Sequence, residues 1–277
     1  MEVPEHAVGS FAVAGGVRLG YRRVGRGVPV LLWHGGLITS FHLLGLAERL
    51  AGAGFQVWAI DRRGRGLSGG EPSFGVGEAV EDVAAAVALT GARRVFGLSA
   101  GAVPVLGWAL VAGSECAVAV YEPPLGAALT WLGEFEHHLG RGERAAALVA
   151  VVRGTEDAAW ARWVPGVLLR PLMAAALREE APAGVGEQLE SMGEDAHMVR
   201  SAESLLVKAS GIRGRVLLLG GARSPVYLTR ALDVLEGVVP GVSRVELAGV
   251  GHLAATNDGS PGRVAESLVG FFDSGAG

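Results

Sequence analysis

Short runs of consecutive apolar residues alternate with segments of helical periodicity over the first half of the chain. Three such runs are residues 28–33, 55–60 and 117–121. Continuous apolar runs of this length are typical of strands that are buried on both faces. Between them, residues 41–53 and 78–90 have apolar side chains at helical spacing. Because strands that alternate with helices form parallel sheets covered on both faces, the pattern predicts an α/β fold with a mostly parallel central sheet.

Strand signals also occur at both ends of the chain. Near the N-terminus, residues 11–13 and 17–22 are separated by Gly15-Gly16, which predicts an antiparallel hairpin with a glycine turn. Near the C-terminus, the pattern predicts strands at 215–219 and 243–247 and helices at 228–238 and 262–272.

The alternation stops between residues 125 and 205, where no strand is evident. We therefore expect an all-helical insertion at 125–205 between two parts of one core, residues 1–124 and 206–277. The helix-like stretches of the insertion are 142–152, 157–163 and 171–180.

The composition narrows the class of protein. Of 277 residues, 50% are hydrophobic and 19% are charged, so the chain can bury a sizeable core. A net charge of −4 gives no reason to expect nucleic acid or an anionic membrane as a partner. The single cysteine, Cys116, excludes an internal disulfide and has no metal-ligand pattern around it. Because the sequence has no signal-peptide pattern and no long apolar run, we expect a cytoplasmic protein. We also expect it to be monomeric or homodimeric and to need no cofactor.

The candidate chemistry is concentrated at Gly97-Leu98-Ser99-Ala100-Gly101, between an apolar strand and a run suited to a helix. This G-x-S-x-G spacing is that of a nucleophile elbow, in which a sharp turn projects the serine hydroxyl away from the sheet. Side chains at the two glycine positions would collide with neighbouring backbone. The pattern alone is weak in a chain with 44 glycines, but its position between strand and helix favours a functional role for Ser99.

Four motifs, each following a predicted strand, support this interpretation together. They are His34-Gly35-Gly36, the sequence Asp-Arg-Arg-Gly-Arg-Gly-Leu-Ser at 61–68, the Ser99 motif, and Gly249-Val250-Gly251-His252. With these motifs the chain resembles the α/β-hydrolase superfamily over nearly its whole length. The resemblance implies an α/β-hydrolase fold: a mostly parallel central sheet with an N-terminal antiparallel hairpin, helices on both faces and an inserted helical cap. We interpret the 61–68 loop as structural, since its charged residues are suited to tying loops together.

The resemblance also implies a serine nucleophile, a late histidine base and an acid that orients the histidine. At the matching positions, Ser99 is the nucleophile and His252 the general base. The oxyanion hole would be formed by the backbone N–H of Ala100 and by one near Gly36 or Leu37.

The acid departs from the pattern of the superfamily. The loop that usually carries it corresponds to residues 220–225, which contain no carboxylate; Ser224 stands about where aspartate is expected, and Asp233 falls within a predicted helix. Glu122, at the end of the preceding strand, offers a different solution, because catalytic groups gather at this edge of an α/β sheet. Two alternatives stay open: Glu122 pairs with an arginine or lines the cap hinge, and a Ser–His pair acts without an acid.

Bulky apolar residues in the insertion bear on the substrate. Most of them should stabilise the cap, but a few should face the cleft, because a cap above a serine nucleophile forms the roof of its pocket. The candidates for substrate binding are Trp131, Trp160 and Trp163, together with His34, which should also shape the oxyanion loop.

The leading hypothesis is a serine hydrolase that cleaves an ester, thioester or lactone of a fairly apolar small molecule through an acyl-enzyme. Ser99 attacks, His252 transfers the proton and Glu122 orients the imidazole. One alternative is a cofactor-free lyase or cyclase that uses Ser99 and His252 only for proton transfer. A second is a small-molecule receptor without turnover, because fold does not determine function.

Overall fold

A computed structural model describes residues 6–71, 75–156, 159–179 and 184–274. Within these ranges, eight strands form one sheet. They are β1 (His6–Ala12), β2 (Arg18–Val24), β3 (Val28–Trp33), β4 (Phe55–Ile60), β5 (Arg94–Leu98), β6 (Ala117–Tyr121), β7 (Arg215–Gly221) and β8 (Ser243–Leu247). Their order in the sheet is β1-β2-β4-β3-β5-β6-β7-β8.

The first two strands form the expected antiparallel hairpin. A 3-10 turn at Ala14–Gly16 joins them, and both Gly15 and Gly16 have φ of 75°, a conformation that glycine adopts without steric cost. β2 pairs antiparallel with β4, and every later pair in the sheet is parallel. The carboxyl ends of β3 to β8 therefore meet at one edge of the sheet, which is where ligands bind in folds of this kind.

Helices cover both faces of the sheet. Side chains alternate along β3, so that Leu31 and Trp33 pack on one face while Val30 and Leu32 pack on the other. The first face is covered by α2 (Val76–Thr90), α3 (Ala102–Ala109) and α9 (Val226–Val238), and the second by α1 (Leu44–Gly52) and α10 (Pro261–Asp273). The predicted mostly parallel sheet with helices on both faces is confirmed.

Between β6 and β7, the residues that the structure describes form helices and the loops that join them, with no strand. We call this part of the chain the helical segment; it contains α4 (Leu132–Gly140), α5 (Arg144–Gly154), α6 (Gly166–Ala176), α7 (Met192–Ser201) and α8 (Ser204–Lys208). Trp131, Phe135 and Leu148 form the centre of a hydrophobic cluster that is separate from the two clusters on the sheet. The helical segment therefore has a core of its own.

The sequence pattern located these helices less well than the strands. It assigned no range to α4, α7 or α8, and it placed a helix at 171–180. In the structure α6 begins at Gly166 and Pro171 lies inside it, while Leu169 in the preceding turn is buried against α5. Residues 159–162 form a 3-10 turn; residues 157, 158 and 180 of the predicted helices lie outside the described residues. In the part of the chain that is described, no helix has the length and hydrophobicity needed to cross a membrane.

Candidate active site

Three side chains from distant parts of the chain form a hydrogen-bonded series at the carboxyl edge of the sheet. Ser99 follows β5, Glu122 follows β6, and His252 lies in the loop after β8. Ser99 Oγ is 2.9 Å from His252 Nε2, and His252 Nδ1 is 2.6 Å from Glu122 Oε2. Because a carboxylate oxygen accepts, Nδ1 is the protonated nitrogen, and Nε2 is left to accept the hydrogen of the Ser99 hydroxyl. This arrangement prepares the imidazole to remove a proton from the serine.

The turn at Ser99 depends on its two flanking glycines. Ser99 has φ of 51°, in the left-handed region, and begins the 3-10 turn that leads into α3. A Cβ at Gly97 would lie 2.6 Å from Ala102 Cα, and one at Gly101 would lie 2.0 Å from the carbonyl oxygen of His34. Both positions touch backbone that cannot move aside, so the steric argument made from the G-x-S-x-G spacing holds in the structure.

Strained backbone is concentrated around this site. Among the described residues, five other than glycine have positive φ: Leu37, Ser99, Glu122, Leu129 and Glu156. Four of them line the cavity beside Ser99, and the fifth is hydrogen-bonded to His252. Such conformations cost of order 1–3 kcal/mol each and persist where the surrounding structure enforces them, commonly at functional sites.

The loop that lacks the expected acid contributes backbone to the site instead. The Gly221 N–H donates to Glu122 Oε1 at 2.6 Å, so each carboxylate oxygen has a partner. A Cβ at Gly220 would lie 3.2 Å from the same oxygen and 2.7 Å from Leu232 Cδ1. Glu122 is 1% exposed and extends to His252; no arginine is among its partners in the described residues. Small residues in this loop thus make room for an acid that comes from the neighbouring strand.

Tyr121 positions the histidine loop, a role that the sequence analysis did not assign. Its hydroxyl donates to the Gly251 carbonyl at 2.8 Å, one residue before His252, and burial raises the pKa of this phenol. The end of β6 therefore holds both the carboxylate and the loop that carries the imidazole. In the sequence, the only indication of this role was the position of the tyrosine directly before the candidate acid.

We expect Tyr121→Phe to lower kcat about five-fold with little change in KM, because the loss of one hydrogen bond of about 1 kcal/mol loosens the His252 loop. Steady-state kinetics on a simple ester measures both constants. An increase in KM at constant kcat would instead mean that the hydroxyl acts on substrate binding.

His34, directly after β3, is buried and does not line the cavity, so the structure does not support a direct contact with substrate. Its Nδ1 donates to the Gly35 carbonyl at 2.8 Å, and its Nε2 accepts the Arg62 N–H at 3.0 Å. Burial, assisted by the positive charge of Arg62, holds the pKa of His34 well below its ordinary value. Both ring nitrogens of this neutral histidine are therefore engaged with backbone, one in the loop after β3 and one in the 61–68 loop.

Acid should destabilise the protein through His34. Below about pH 6.5 the unfolded chain binds a proton at this histidine while the folded chain does not, so the free energy of unfolding falls by up to about 1.4 kcal/mol per pH unit. His34→Gln keeps an acceptor for the Arg62 N–H and removes the titration. Urea unfolding at pH 7, 6 and 5 should therefore show a weaker pH dependence in His34→Gln than in the wild type. His197→Gln, at a partly exposed histidine, is the control; equal slopes in all three proteins would contradict the assignment.

The 61–68 loop is structural, as expected, and it also reaches the helical segment. Asp61 accepts the N–H of Ser40 at 2.5 Å and of Leu67 at 2.9 Å, and burial raises its pKa. Arg62 and Arg65 both form ion pairs with Asp195 on α7. Sequence analysis did not identify Asp195, because its partners are more than 100 positions away.

A cavity of about 490 Å³ opens beside Ser99 and His252, between the sheet edge and the helical segment. Gly36, Leu37 and Ala100, the three expected oxyanion residues, line it, and a Cβ at Gly35 would lie 3.1 Å from Ser99 Cβ. The loop that carries Gly36 and Leu37 therefore passes close to the serine. The part of the lining contributed by the helical segment is mainly small and aliphatic: Ala127, Ala128, Leu129, Val151, Val152, Val185, Met192, Ala196 and Val199.

Of the three tryptophans expected to contact substrate, the structure brings only Trp131 to the cavity. Gly154 makes room for it, since a Cβ there would lie 2.2 Å from Trp131 Cβ. Trp160 and Trp163 are 53% and 78% exposed and lie outside the cavity lining. In the structure these two tryptophans therefore do not contribute to the cavity wall. Across the described ranges, no group of three or more His, Cys, Asp or Glu side chains is arranged to hold a metal ion.

Comparison with known proteins places this geometry in context. The model of the serine aminopeptidase S33 hydrolase family (Hydrolase_4) matches residues 27–135, less than half of the chain. None of the curated proteins matches. An α/β hydrolase from Sphaerobacter thermophilus DSM 20745 is similar in structure, with a TM-score of 0.77 and 27% identity over 95% of this chain and 100% of that one.

Two further structures share the fold at lower identity. An enol-lactonase from Burkholderia xenovorans LB400 has a TM-score of 0.75 and 21% identity, covering 96% of this chain and 100% of its own. An esterase from Exiguobacterium antarcticum has a TM-score of 0.70 and 16% identity, covering 95% of this chain and 98% of its own. From its sheet topology, its motifs and these similarities, the chain belongs to the α/β-hydrolase superfamily, and the general activity that this membership supports is hydrolysis.

Proposed function

We propose that this protein is a serine hydrolase that cleaves an ester, thioester or lactone of a fairly apolar small molecule through an acyl-enzyme on Ser99. One observation carries the proposal: the Ser99–His252–Glu122 hydrogen-bonded series opens onto a cavity large enough for a small molecule. The three residues have the mutual geometry of a nucleophile, its base and the group that orients the base.

In the acylation step, Ser99 Oγ attacks the carbonyl carbon of the substrate while its proton passes to His252 Nε2. The resulting imidazolium is stabilised by the Glu122 carboxylate at Nδ1. When the tetrahedral intermediate collapses, the bond to the leaving oxygen or sulfur breaks, and that atom takes the proton from His252. A water molecule then attacks the acyl-enzyme by the same route, which releases the acid and restores the Ser99 hydroxyl.

The negative oxygen of the tetrahedral intermediate would be held by backbone N–H groups. We assign this role to Ala100, directly after the nucleophile, and to Gly36 or Leu37 in the adjacent loop. Their position in the lining beside Ser99 and the positive φ of Leu37 support the assignment. Each such donor is worth on the order of 3 kcal/mol of transition-state stabilisation.

The cavity favours an apolar substrate, because aliphatic and small side chains of the helical segment form much of its lining. We propose that this segment acts as a cap above the nucleophile. An ester or a lactone agrees with the activities of the similar esterase and enol-lactonase. The absence of an acid from residues 220–225 is the main ground for the lyase alternative, and the Glu122–His252 hydrogen bond weakens that ground.

A fluorophosphonate probe tests the proposal directly. The wild type should gain the mass of one adduct, which peptide mapping places on Ser99, and Ser99→Ala should gain none. Ser224→Ala is a matched control, because Ser224 follows β7 at the same edge of the sheet, its hydroxyl has no hydrogen-bond partner among the described residues, and it has no part in the proposed reaction. A folded wild type that fails to react, or reacts equally after Ser99→Ala, would overturn covalent catalysis by Ser99.

A further inference from the structure

Asp195 is a buried carboxylate that lines the cavity but has no part in the proposed reaction. It lies on α7 and is 2% exposed. Its Oδ1 receives the guanidinium groups of both Arg62 and Arg65, the latter at 3.0 Å. Its Oδ2 accepts no hydrogen bond from the residues that the structure describes. One oxygen of this carboxylate is therefore paired with two arginines, while the other has no hydrogen-bond partner among the described residues.

A buried oxygen without a partner is rare, because it loses its hydration and gains nothing in return. Burial acts to raise the pKa of Asp195, but the charges of Arg62 and Arg65 outweigh it and hold the pKa below its ordinary value. The group is therefore ionised, and Oδ2 is a strong acceptor. The second oxygen is itself buried, and it lies beside Gly36 and Met192, which both line the cavity.

The position of Oδ2 relates it to the nucleophile. A Cβ at Gly36 would lie 3.1 Å from Asp195 Oδ2, and a Cβ at the preceding Gly35 would lie 3.1 Å from Ser99 Cβ. Two consecutive residues of one loop thus contact Ser99 and Asp195. A molecule whose carbonyl carbon reaches Ser99 along this loop would have other atoms close to the Asp195 carboxylate.

Met192 lies at the same point, with its sulfur 3.1 Å from the Gly36 Cβ position, and it also lines the cavity. Methionine has three rotatable side-chain bonds and repacks easily. A shift of this side chain would uncover Oδ2 toward the cavity, and Oδ1 would keep its ion pairs with Arg62 and Arg65.

We propose that Asp195 Oδ2 accepts a hydrogen bond from a neutral donor on the substrate, a hydroxyl or an amide N–H a few atoms from the scissile carbonyl. This inference rests on the proposed function, and it narrows the substrate class from apolar esters in general to esters that also have such a donor. A neutral donor fits because the charges of Arg62 and Arg65 are already balanced by Asp195 and by Glu194, which is close enough to act on Arg65. An ammonium group would add an uncompensated charge to a buried cluster.

The test compares matched esters in the same protein. For the acyl side, the set is p-nitrophenyl butyrate, 3-hydroxybutyrate and 3-methoxybutyrate; for the alcohol side, it is propyl, 2-hydroxyethyl and 2-methoxyethyl butyrate. In the wild type, kcat/KM should be about ten- to a hundred-fold higher for the hydroxyl compound than for its methoxy partner on one side of the ester. Equal values within both sets would overturn the proposal.

Asp195→Asn separates recognition from a purely structural role. The amide oxygen stays with the arginines, so its NH₂ group takes the place of Oδ2 and a donor replaces an acceptor. The ratio of hydroxyl to methoxy ester should then fall to about one or below, because both can accept from the NH₂ group. If Asp195→Asn does not fold, the charge-balanced double variant Asp195→Asn/Arg65→Gln serves for the same ratio. A hydroxyl preference that persists unchanged would overturn the role of Asp195.

Fluorophosphonate labelling and hydrolysis of p-nitrophenyl butyrate, measured in the same samples, separate the two levels of the argument. Labelling and butyrate hydrolysis without a hydroxyl preference would refute this inference and leave the proposed function standing. A folded wild type that neither reacts with the fluorophosphonate nor hydrolyses any of the esters would refute both the proposed function and this inference.

Discussion

Ser99→Ala and His252→Ala should each lower kcat for a simple ester by roughly a million-fold, and the double variant should be no slower than either. The nucleophile and its base act as one unit: without the imidazole the hydroxyl keeps its proton, and without the hydroxyl the imidazole has nothing to activate. The 2.9 Å contact between Ser99 Oγ and His252 Nε2 is the physical basis of this non-additivity. Single-turnover kinetics on p-nitrophenyl butyrate would measure all three variants.

Thermal unfolding controls for damage to the fold, since Ser99→Ala removes only one oxygen. Additive losses in the double variant would mean that the two residues act independently. Turnover by Ser99→Ala at close to the wild-type rate would favour the proton-transfer alternative, in which a lyase or cyclase forms no acyl-enzyme. Tight binding of a small molecule with no product over hours would favour the receptor alternative.

Glu122→Gln should lower kcat about ten-thousand-fold while leaving KM nearly unchanged. The glutamine side chain has the same size, but its amide offers a donor to a ring nitrogen that is also a donor. The histidine then adopts the other tautomer, with its proton on Nε2, and can no longer accept from Ser99. Because Gly221 N–H would still hold the amide oxygen, the NH₂ group is directed at His252.

Asp233→Asn is the matched control, because Asp233 is the next acid in the chain after the loop that lacks one. It lies on the exposed face of α9 and pairs with Arg244, so its replacement should leave kcat within about two-fold. A Glu122→Gln variant that retained more than a tenth of the wild-type kcat would show that a Ser–His pair suffices. That outcome would leave Glu122 with a structural role only.

Much of the fold and of the site followed from local patterns. The continuous apolar runs located β3, β4 and β6 at the residues observed in the structure, because strands buried on both faces favour consecutive apolar side chains. The glycines around Ser99 identified the turn, since only glycine fits where a side chain would meet backbone. Glu122 was proposed from its position at the end of a predicted strand and from the lack of a carboxylate at 220–225, because no motif marks it.

The helical segment was harder to predict for a physical reason. Its helices are short, and their stability comes from packing around Phe135 and Leu148 rather than from caps or strong amphipathic periodicity. The aromatic residues Trp160 and Trp163 therefore gave no reliable indication of which surface faces the cleft. Asp195 was missed because an aspartate within a helix has no distinctive spacing; its significance depends on two arginines in another part of the chain.

The order of residues along the chain was enough to predict the strand-and-helix alternation, the sharp turn at Ser99 and the glycine-flanked loop of His252, because each depends on steric properties of adjacent residues. Which carboxylate meets the imidazole is a property of the folded chain, since residues 122 and 252 are 130 positions apart and are brought together by the parallel order of β6, β7 and β8. The cavity lining and the half-paired carboxylate of Asp195 were likewise decided by how the helical segment packs on the sheet edge, because contacts between distant segments depend on packing and leave no local trace.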